Sequence, residues 1–274
     1  MNRRIAFIGG GNMASAIVGG LIRQGCLPSL IDVVEPSDPT RDKLQESYRV
    51  RTEAQAGAFL TQADLVIWAV KPQVFKEAAL TTQPYTAQAL HLSVAAGIRS
   101  GSIARWLGSE RVVRAMPNTP ALIGKGISAL FARPAVSDAD KVWVGQIMAS
   151  TGEFLWLGAE EQLDAVTALS GSGPAYLFYF MEAMVRAGTE MGLSPEHAHK
   201  LAVATCVGAG ELALRSGEPL GALRQRVTSK GGTTQAALSS MQDDDLQAIV
   251  INAIYAARRR AQKLGDEFGE GAAT

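Results

Sequence analysis

The sequence predicts an α/β fold: a doubly wound, largely parallel sheet over residues 1–159, followed by an all-helical domain over 160–274. Three observations carry this. Short apolar segments rich in Val, Ile and Leu alternate with helical patterns through residue 157, as buried parallel strands and their crossover helices do. Strand patterns stop after Gly158, and everything beyond has helical spacing. The first strand runs into a glycine-rich turn that opens the first helix, "AFIGGGNMASAIVGGL".

In chain order, strands are expected at 4–9, 30–35, 64–70, 89–95, 111–116, 126–132 and 153–157. Helices fall between several of them, at 12–24, 40–47, 73–80, 100–107 and 138–150. The second half reads as helices at 160–170, 174–191, 195–215, 219–226, 233–242 and 244–264. Ser194-Pro195-Glu196 is a helix start, with an N-cap hydroxyl, a proline at the first helical position and an acid in the first turn. "QDDDL" (242–246) should break the last helical run in two and place acids at the start of the second helix. "GDEFGEGAAT" (265–274) reads as a frayed tail.

Composition narrows the function. Hydrophobic residues make up 47% of 274 residues, enough for cores in about two domains. Lys+Arg and Asp+Glu both number 26, so no net charge draws the chain to nucleic acid or an anionic membrane. "AIVINAIYAA" is too short to span a bilayer and contains Asn252. The basic start "MNRRIAFIGGG" reads as a strand rather than a secretion signal. Cys26 and Cys206 are far apart and belong to no motif, which argues against metal or disulfide roles and fits a reducing cytoplasm.

Gly9-Gly10-Gly11-Asn12-Met13-Ala14 matches G-x-G-x-x-A between a strand and a helix, the fingerprint of a Rossmann-like dinucleotide site. Gly9 permits the tight turn, Gly11 lets backbone approach a pyrophosphate, and Ala14 allows close helix–strand packing. The second strand ends at Glu35. A carboxylate there binds a ribose 2′-hydroxyl and repels a 2′-phosphate, favouring NAD, or else it is an ordinary solvated strand-end residue. Ser37, Thr40 and Arg41 could hold a phosphate if Glu35 turns away. "AVKPQ" (69–73) ends another strand on the same expected edge: Ala69, Val70 and Pro72 offer backbone to the nicotinamide half, and Lys71 is either solvated or a cofactor contact. "SVAAG" (93–97), with Ala95 and Gly97, and "RAMPNTP" (114–120), with Asn118, end further strands there.

The acid–base inventory limits the chemistry. His91 lies in an apolar strand and reads as structural, while His197 and His199 lie in the first turns of a helix and read as exposed. No Tyr-x-x-x-Lys occurs, so the proton donor that a carbonyl reduction needs is missing. An imine is partly protonated near neutral pH and accepts hydride without a strong acid. It needs only a hydroxyl at its nitrogen and donors for any carboxylate. "VTSKGGTTQAAL" (227–238) offers both: a glycine-rich helix start with free amides and the positive end of a helix dipole, and two threonines. One of Thr233 and Thr234 is expected to cap the helix, leaving the other hydroxyl free.

These segments, with "ALSGSGPAY" (168–176), resemble the pyrroline-5-carboxylate reductase family over essentially the whole chain. The resemblance implies reduction of L-1-pyrroline-5-carboxylate to L-proline, the last step of proline synthesis, with NADPH first and NADH second. It places the pyrroline-contacting threonine on Thr234, the carboxylate loop on Ser229, Gly231, Gly232 and Thr233, and the nicotinamide segment on Ala69–Pro72. It also implies a helical C-terminal dimerisation domain, with rings of dimers in some members. The family pattern S-P-G-G-T-T has Lys230 in place of its proline, and a polar cofactor-binding position falls on Ala56. A β-hydroxyacid dehydrogenase shares the N-terminal pattern but needs a lysine that "GSGPAYLFYFMEAM" lacks. A non-catalytic dinucleotide sensor would have no use for the Gly-Gly-Thr-Thr helix start.

Overall fold

A computed structural model describes residues 3–270. The chain divides into two compact units, residues 1–172 with 257–274, and residues 173–256. Strands give way to helices at the expected place, near 159, but the compact division falls later because α6 (Gln162–Val166) and a wider π-type turn (Thr167–Gly171) belong to the sheet unit.

The sheet unit begins β1 (Ile5–Ile8), α1 (Asn12–Arg23), β2 (Ile31–Val34), α2 (Asp38–Tyr48), β3 (Arg51–Glu53), β4 (Leu65–Trp68) and α3 (Pro72–Thr82). It continues β5 (Leu90–Ser93), α4 (Ser100–Leu107), β6 (Val112–Met116), β7 (Gly126–Ala132), α5 (Asp138–Met148) and β8 (Gly152–Trp156). The strands form one sheet in the order β3-β2-β1-β4-β5-β6-β7-β8. Successive residues of a strand face opposite sides, so each strand feeds two cores. Ile5 and Phe7 of β1, with Leu65 and Ile67 of β4, enter one; Ala6 and Ile8, with Val66 and Trp68, enter the other.

Two departures from expectation are informative. β3 has no apolar pattern ("RTE") because it is an edge strand, paired only with β2 and with just Thr52 buried. β6 and β7 pair antiparallel, Ala115 opposite Leu130, because the 117–125 segment is a loop with one short helical turn rather than a crossover helix.

The order of strands reverses at β1, whose neighbours are β2 and β4. A doubly wound sheet holds its ligand at the carboxyl ends of the strands beside such a reversal. The loops after β1, β2 and β4 are the ones the motifs occupy.

The helical unit comprises α7 (Gly173–Glu190), α8 (Pro195–Ser216), α9 (Leu220–Arg226), α10 (Thr233–Asp243) and the first part of α11 (Leu246–Glu270). The Ser194 hydroxyl accepts from the His197 amide at 3.2 Å, the expected cap of α8. The acidic stretch does break the run between α10 and α11, with Asp245 in left-handed backbone, but no acid lies in the first turn of α11. Nor is 265–270 a tail: α11 runs through Glu270, and Leu264, Gly265 and Phe268 pack on Gly97 and Arg99 of the sheet unit. Residues 271–274 lie outside the described residues.

This unit covers little of its own apolar surface. Only Gly188 of α7 and Ala198 and Ala202 of α8 are buried, and none of α9 or α10. Leu177, Phe178, Tyr179 and Phe180 stay largely exposed on α7, as do Ile249, Val250 and Tyr255 on α11. Such surface calls for a protein partner.

Candidate active site

The nucleotide end is built by backbone. Gly9 ends β1 in left-handed conformation (φ +95°), and its amide donates to the Val34 carbonyl at 2.8 Å. A methyl group there would stand 2.6 Å from the Ala69 carbonyl oxygen, so β1 and β4 leave room only for glycine. Gly11 precedes α1 with no side chain capping the helix, and nothing lies within 4 Å of where its Cβ would be. That open cradle at a helix N-terminus fits a pyrophosphate. Asn12 is exposed in the first turn, Met13 is half-buried against the core, and Ala14 is wholly buried, as close helix–strand packing requires. Gly9→Ala should therefore cost at least about 1–2 kcal/mol of stability and abolish cofactor binding, measured by thermal melts and nucleotide titration. A variant that binds NAD(P)H normally would show that the turn tolerates a side chain.

A cavity of about 720 Å³ opens over this turn. Gly9, Gly11, Glu35, Ala69, Val70 and Lys71 line it, so three separate sequence motifs meet there. Pro72 is the first residue of α3 and sets its direction without lining the cavity. Ser37 precedes α2, exposed, and its amide donates to Glu35 Oε1 at 2.9 Å. The far wall is formed by Ala54, Gln55 and Ala56, which leave the polar edge strand β3, and by Val74, Ala78 and Thr81 of α3; of these, the family resemblance pointed only to Ala56.

Three expected contacts are engaged elsewhere or lie apart. Ala95 is buried and does not line the cavity. Gly97 faces Leu264 at 3.0 Å from its would-be Cβ. Asn118 accepts from the Ile127 amide at 3.0 Å and donates to the Ser170 carbonyl at 3.2 Å, so its side chain ties loops together.

A buried polar network lies beside the sheet's β6 strand. Glu160 Oε1 accepts from the Ser100 amide and from Arg114, both at 2.6 Å, and Oε2 accepts from the Ser100 hydroxyl at 2.6 Å. Arg99 pairs with Asp164 at 2.9 Å alongside. Burial alone would push the Glu160 carboxyl up, but the Ser100 hydroxyl and amide and the Arg114 guanidinium outweigh it and hold the acid below the usual carboxylate range. A charged residue in the middle of "RVVRAM" was the available signal, since a buried strand arginine demands a partner. His91 is structural as expected: burial, with the charge of Arg111 adding to it, lowers its pKa to about 4, and its Nδ1 accepts from Trp68 Nε1 at 3.3 Å. His197 and His199 are exposed. No cluster of potential metal ligands exists among the described residues.

The second set of donors lies in the helical unit. Gly231 is left-handed (φ +74°) and turns the chain into α10. The N-cap is Gly232, and no side chain caps the helix. This corrects the expected threonine cap and leaves both hydroxyls uncommitted to capping. Thr233 is exposed and Thr234 half-buried. The Gly231 amide donates to Gln235 Oε1 at 2.5 Å and the Gly232 amide to the Ser229 carbonyl at 3.1 Å. Ala236 bonds back to Gly232, so the uncapped amides of the first turn are those of Thr233, Thr234 and Gln235. Ser229 and Lys230 are exposed before the turn.

Comparison with known proteins agrees with both halves of this geometry. Residues 160–264 match the family described as pyrroline-5-carboxylate reductase dimerisation, and residues 4–97 match NADP oxidoreductase, coenzyme F420-dependent. The pyrroline-5-carboxylate reductase of Pseudomonas aeruginosa is 43% identical over 269 residues, covering 97% of this chain and 98% of that one. The chain belongs to the pyrroline-5-carboxylate reductase family. A solved pyrroline-5-carboxylate reductase from Coxiella burnetii superposes with a TM-score of 0.90 at 38% identity, covering 96% of this chain and 99% of the other. A pyrroline carboxylate reductase from Plasmodium falciparum, solved with NADP bound, gives 0.86 at 29% identity, covering 96% and 98%. The reductase family thus accounts for the Rossmann-like sheet and the helical dimerisation domain together. No helix among the described residues is long and apolar enough to cross a membrane.

Proposed function

We propose that this chain is an NAD(P)H-dependent pyrroline-5-carboxylate reductase, converting L-1-pyrroline-5-carboxylate to L-proline at the end of proline biosynthesis. The uncapped, glycine-led start of α10 carries the reading, because it offers amides for a carboxylate and a hydroxyl for a ring nitrogen without any histidine or tyrosine acid. The nicotinamide, when bound, supplies the hydride. Gly9 and Gly11 cradle the pyrophosphate, and Ala69, Val70, Lys71 and Pro72 shape the path to the nicotinamide end, with Ala95, Gly97 and Asn118 supporting the neighbouring loops.

On the substrate side, the amides of Thr233, Thr234 and Gln235 and the dipole of α10 hold the carboxylate. The Gly231 and Gly232 turn and Ser229 set their direction. The Thr234 hydroxyl orients the ring nitrogen. In a substrate that is already an iminium, the charged nitrogen makes the C=N carbon electrophilic and takes the π electrons as hydride adds, so these residues position rather than protonate. Loss of NAD(P)H absorbance on adding pyrroline-5-carboxylate tests the reading; no turnover with either cofactor would overturn it.

The functional division is a nucleotide domain at 1–159 and a substrate-binding and dimerisation domain at 160–274, supported by the family match that begins at residue 160. The chain works as a homodimer that can build rings of dimers, and in the cytoplasm, where the unpaired Cys26 and Cys206 stay reduced. Sedimentation at low micromolar concentration should show no species near the 28.9 kDa of one chain. A single monomeric species would refute the assembly. Larger rings would appear as multiples of the dimer.

A further inference from the structure

We infer that Glu35 makes this enzyme select NADH over NADPH, reversing the order that the family resemblance implies; the inference rests on the reductase reading of the same site. Glu35 leaves the end of β2 and lines the cofactor cavity beside Gly9 and Gly11. Its carboxylate does not swing free. Oε2 accepts from the Gly10 amide at 2.8 Å and Oε1 from the Ser37 amide at 2.9 Å, so the side chain is pinned at both oxygens across the glycine-rich turn. Gly10 is shaped for this. A Cβ there would stand 3.2 Å from both Cβ and Cγ of Glu35 and 2.7 Å from Leu44.

Two amides leave each carboxylate oxygen a further lone pair. A ribose 2′-hydroxyl can donate to it. A 2′-phosphate carries only acceptors and negative charge, so it meets repulsion instead of a hydrogen bond. Relief would need a nearby cation, and the nearest candidate is already committed. The Arg41 guanidinium donates to the Glu35 carbonyl at 2.7 Å and the Pro36 carbonyl at 2.8 Å, and pairs with Asp38. Moving Arg41 to a phosphate breaks those contacts and leaves Asp38 unpaired close by. On the other wall, Ala54, Gln55 and Ala56 bring no positive charge, and among the described residues Lys71 is the one basic side chain lining the cavity. Lys71 follows β4, which β1 separates from β2 in the sheet, so it enters the cavity from a different strand end than Glu35.

The test compares kcat/KM for NADH and NADPH with pyrroline-5-carboxylate, and separately the Kd of NAD⁺ and NADP⁺ by calorimetry. Wild type should favour the 2′-hydroxyl cofactor by at least about tenfold in both readouts. Glu35→Gln, which keeps the length and one acceptor oxygen, should narrow the ratio about tenfold, and Glu35→Ala should narrow it further. Equal or better use of NADPH by the wild type overturns the inference, as does an unchanged ratio in both variants. Binding of NAD⁺ over NADP⁺ without turnover would support the inference while refuting the reductase reading. Failure to bind either nucleotide would refute both. If the variants do not fold, the wild-type ratios still decide.

Discussion

Thr234→Val is expected to lower kcat/KM for pyrroline-5-carboxylate by roughly ten- to a thousandfold, the range for one oriented hydrogen bond in a site from which water is excluded. Valine keeps the shape and β-branching of threonine, so α10 should form as before. The N-cap is Gly232, so loss of this hydroxyl removes no helix cap and should leave the melting temperature within about 1–2 °C. Thr233→Val is the internal control. Its hydroxyl is exposed and caps nothing, so its effect on efficiency should stay below about threefold. Nucleotide affinity should be unchanged in both variants, because Gly9, Gly11 and Glu35 belong to the other compact unit. Wild-type efficiency in Thr234→Val would mean that shape and carboxylate contacts alone hold the iminium.

Arg114→Leu should cost about 3–5 kcal/mol of stability, because it leaves the Glu160 carboxylate in place without its buried cation. Arg114 is only 5% exposed, and it lies in β6 between residues that face the core. A loss of that size should lower the melting temperature by about 10 °C or more. The penalty has a pH signature. Glu160 is held below the usual carboxylate range in the folded state, so its contribution is complete above the unfolded pKa and disappears as pH falls through the lower folded value. Melting curves of wild type and Arg114→Leu should therefore lie furthest apart near neutral pH and converge in acid. Adding Glu160→Gln to Arg114→Leu should recover part of the loss, since a neutral amide is cheaper to bury than an unpaired acid. A shift below about 2 °C at neutral pH would show that solvent reaches the site and satisfies Glu160 there.

The amino-acid sequence by itself determined the elements whose signals are local. Strands β1, β2 and β4 are short, mostly apolar segments bounded by turns, and helices such as α8 carry their own start in Ser194-Pro195-Glu196. The glycine-rich turn and the Gly-Gly-Thr-Thr helix start are also local, because each depends on which residues tolerate a tight turn or an open helix end.

Tertiary structure decided whatever depends on residues distant in sequence. β3 exists because β2 offers it an edge, not because "RTE" favours a strand. The antiparallel β6–β7 pairing is set by the path of a loop. Arg114 and Ser100 find Glu160 only when segments 46 and 60 residues apart meet, and Asn118 finds Ser170 across 52. The end of α11 stays helical because Gly97 and Arg99 give it a surface to pack on. Glu35 shows the division most clearly. Its place at the end of a strand was written in the sequence, but the two amides that aim its carboxylate come from a turn 25 residues away and from its own loop, and only the folded chain brings them together.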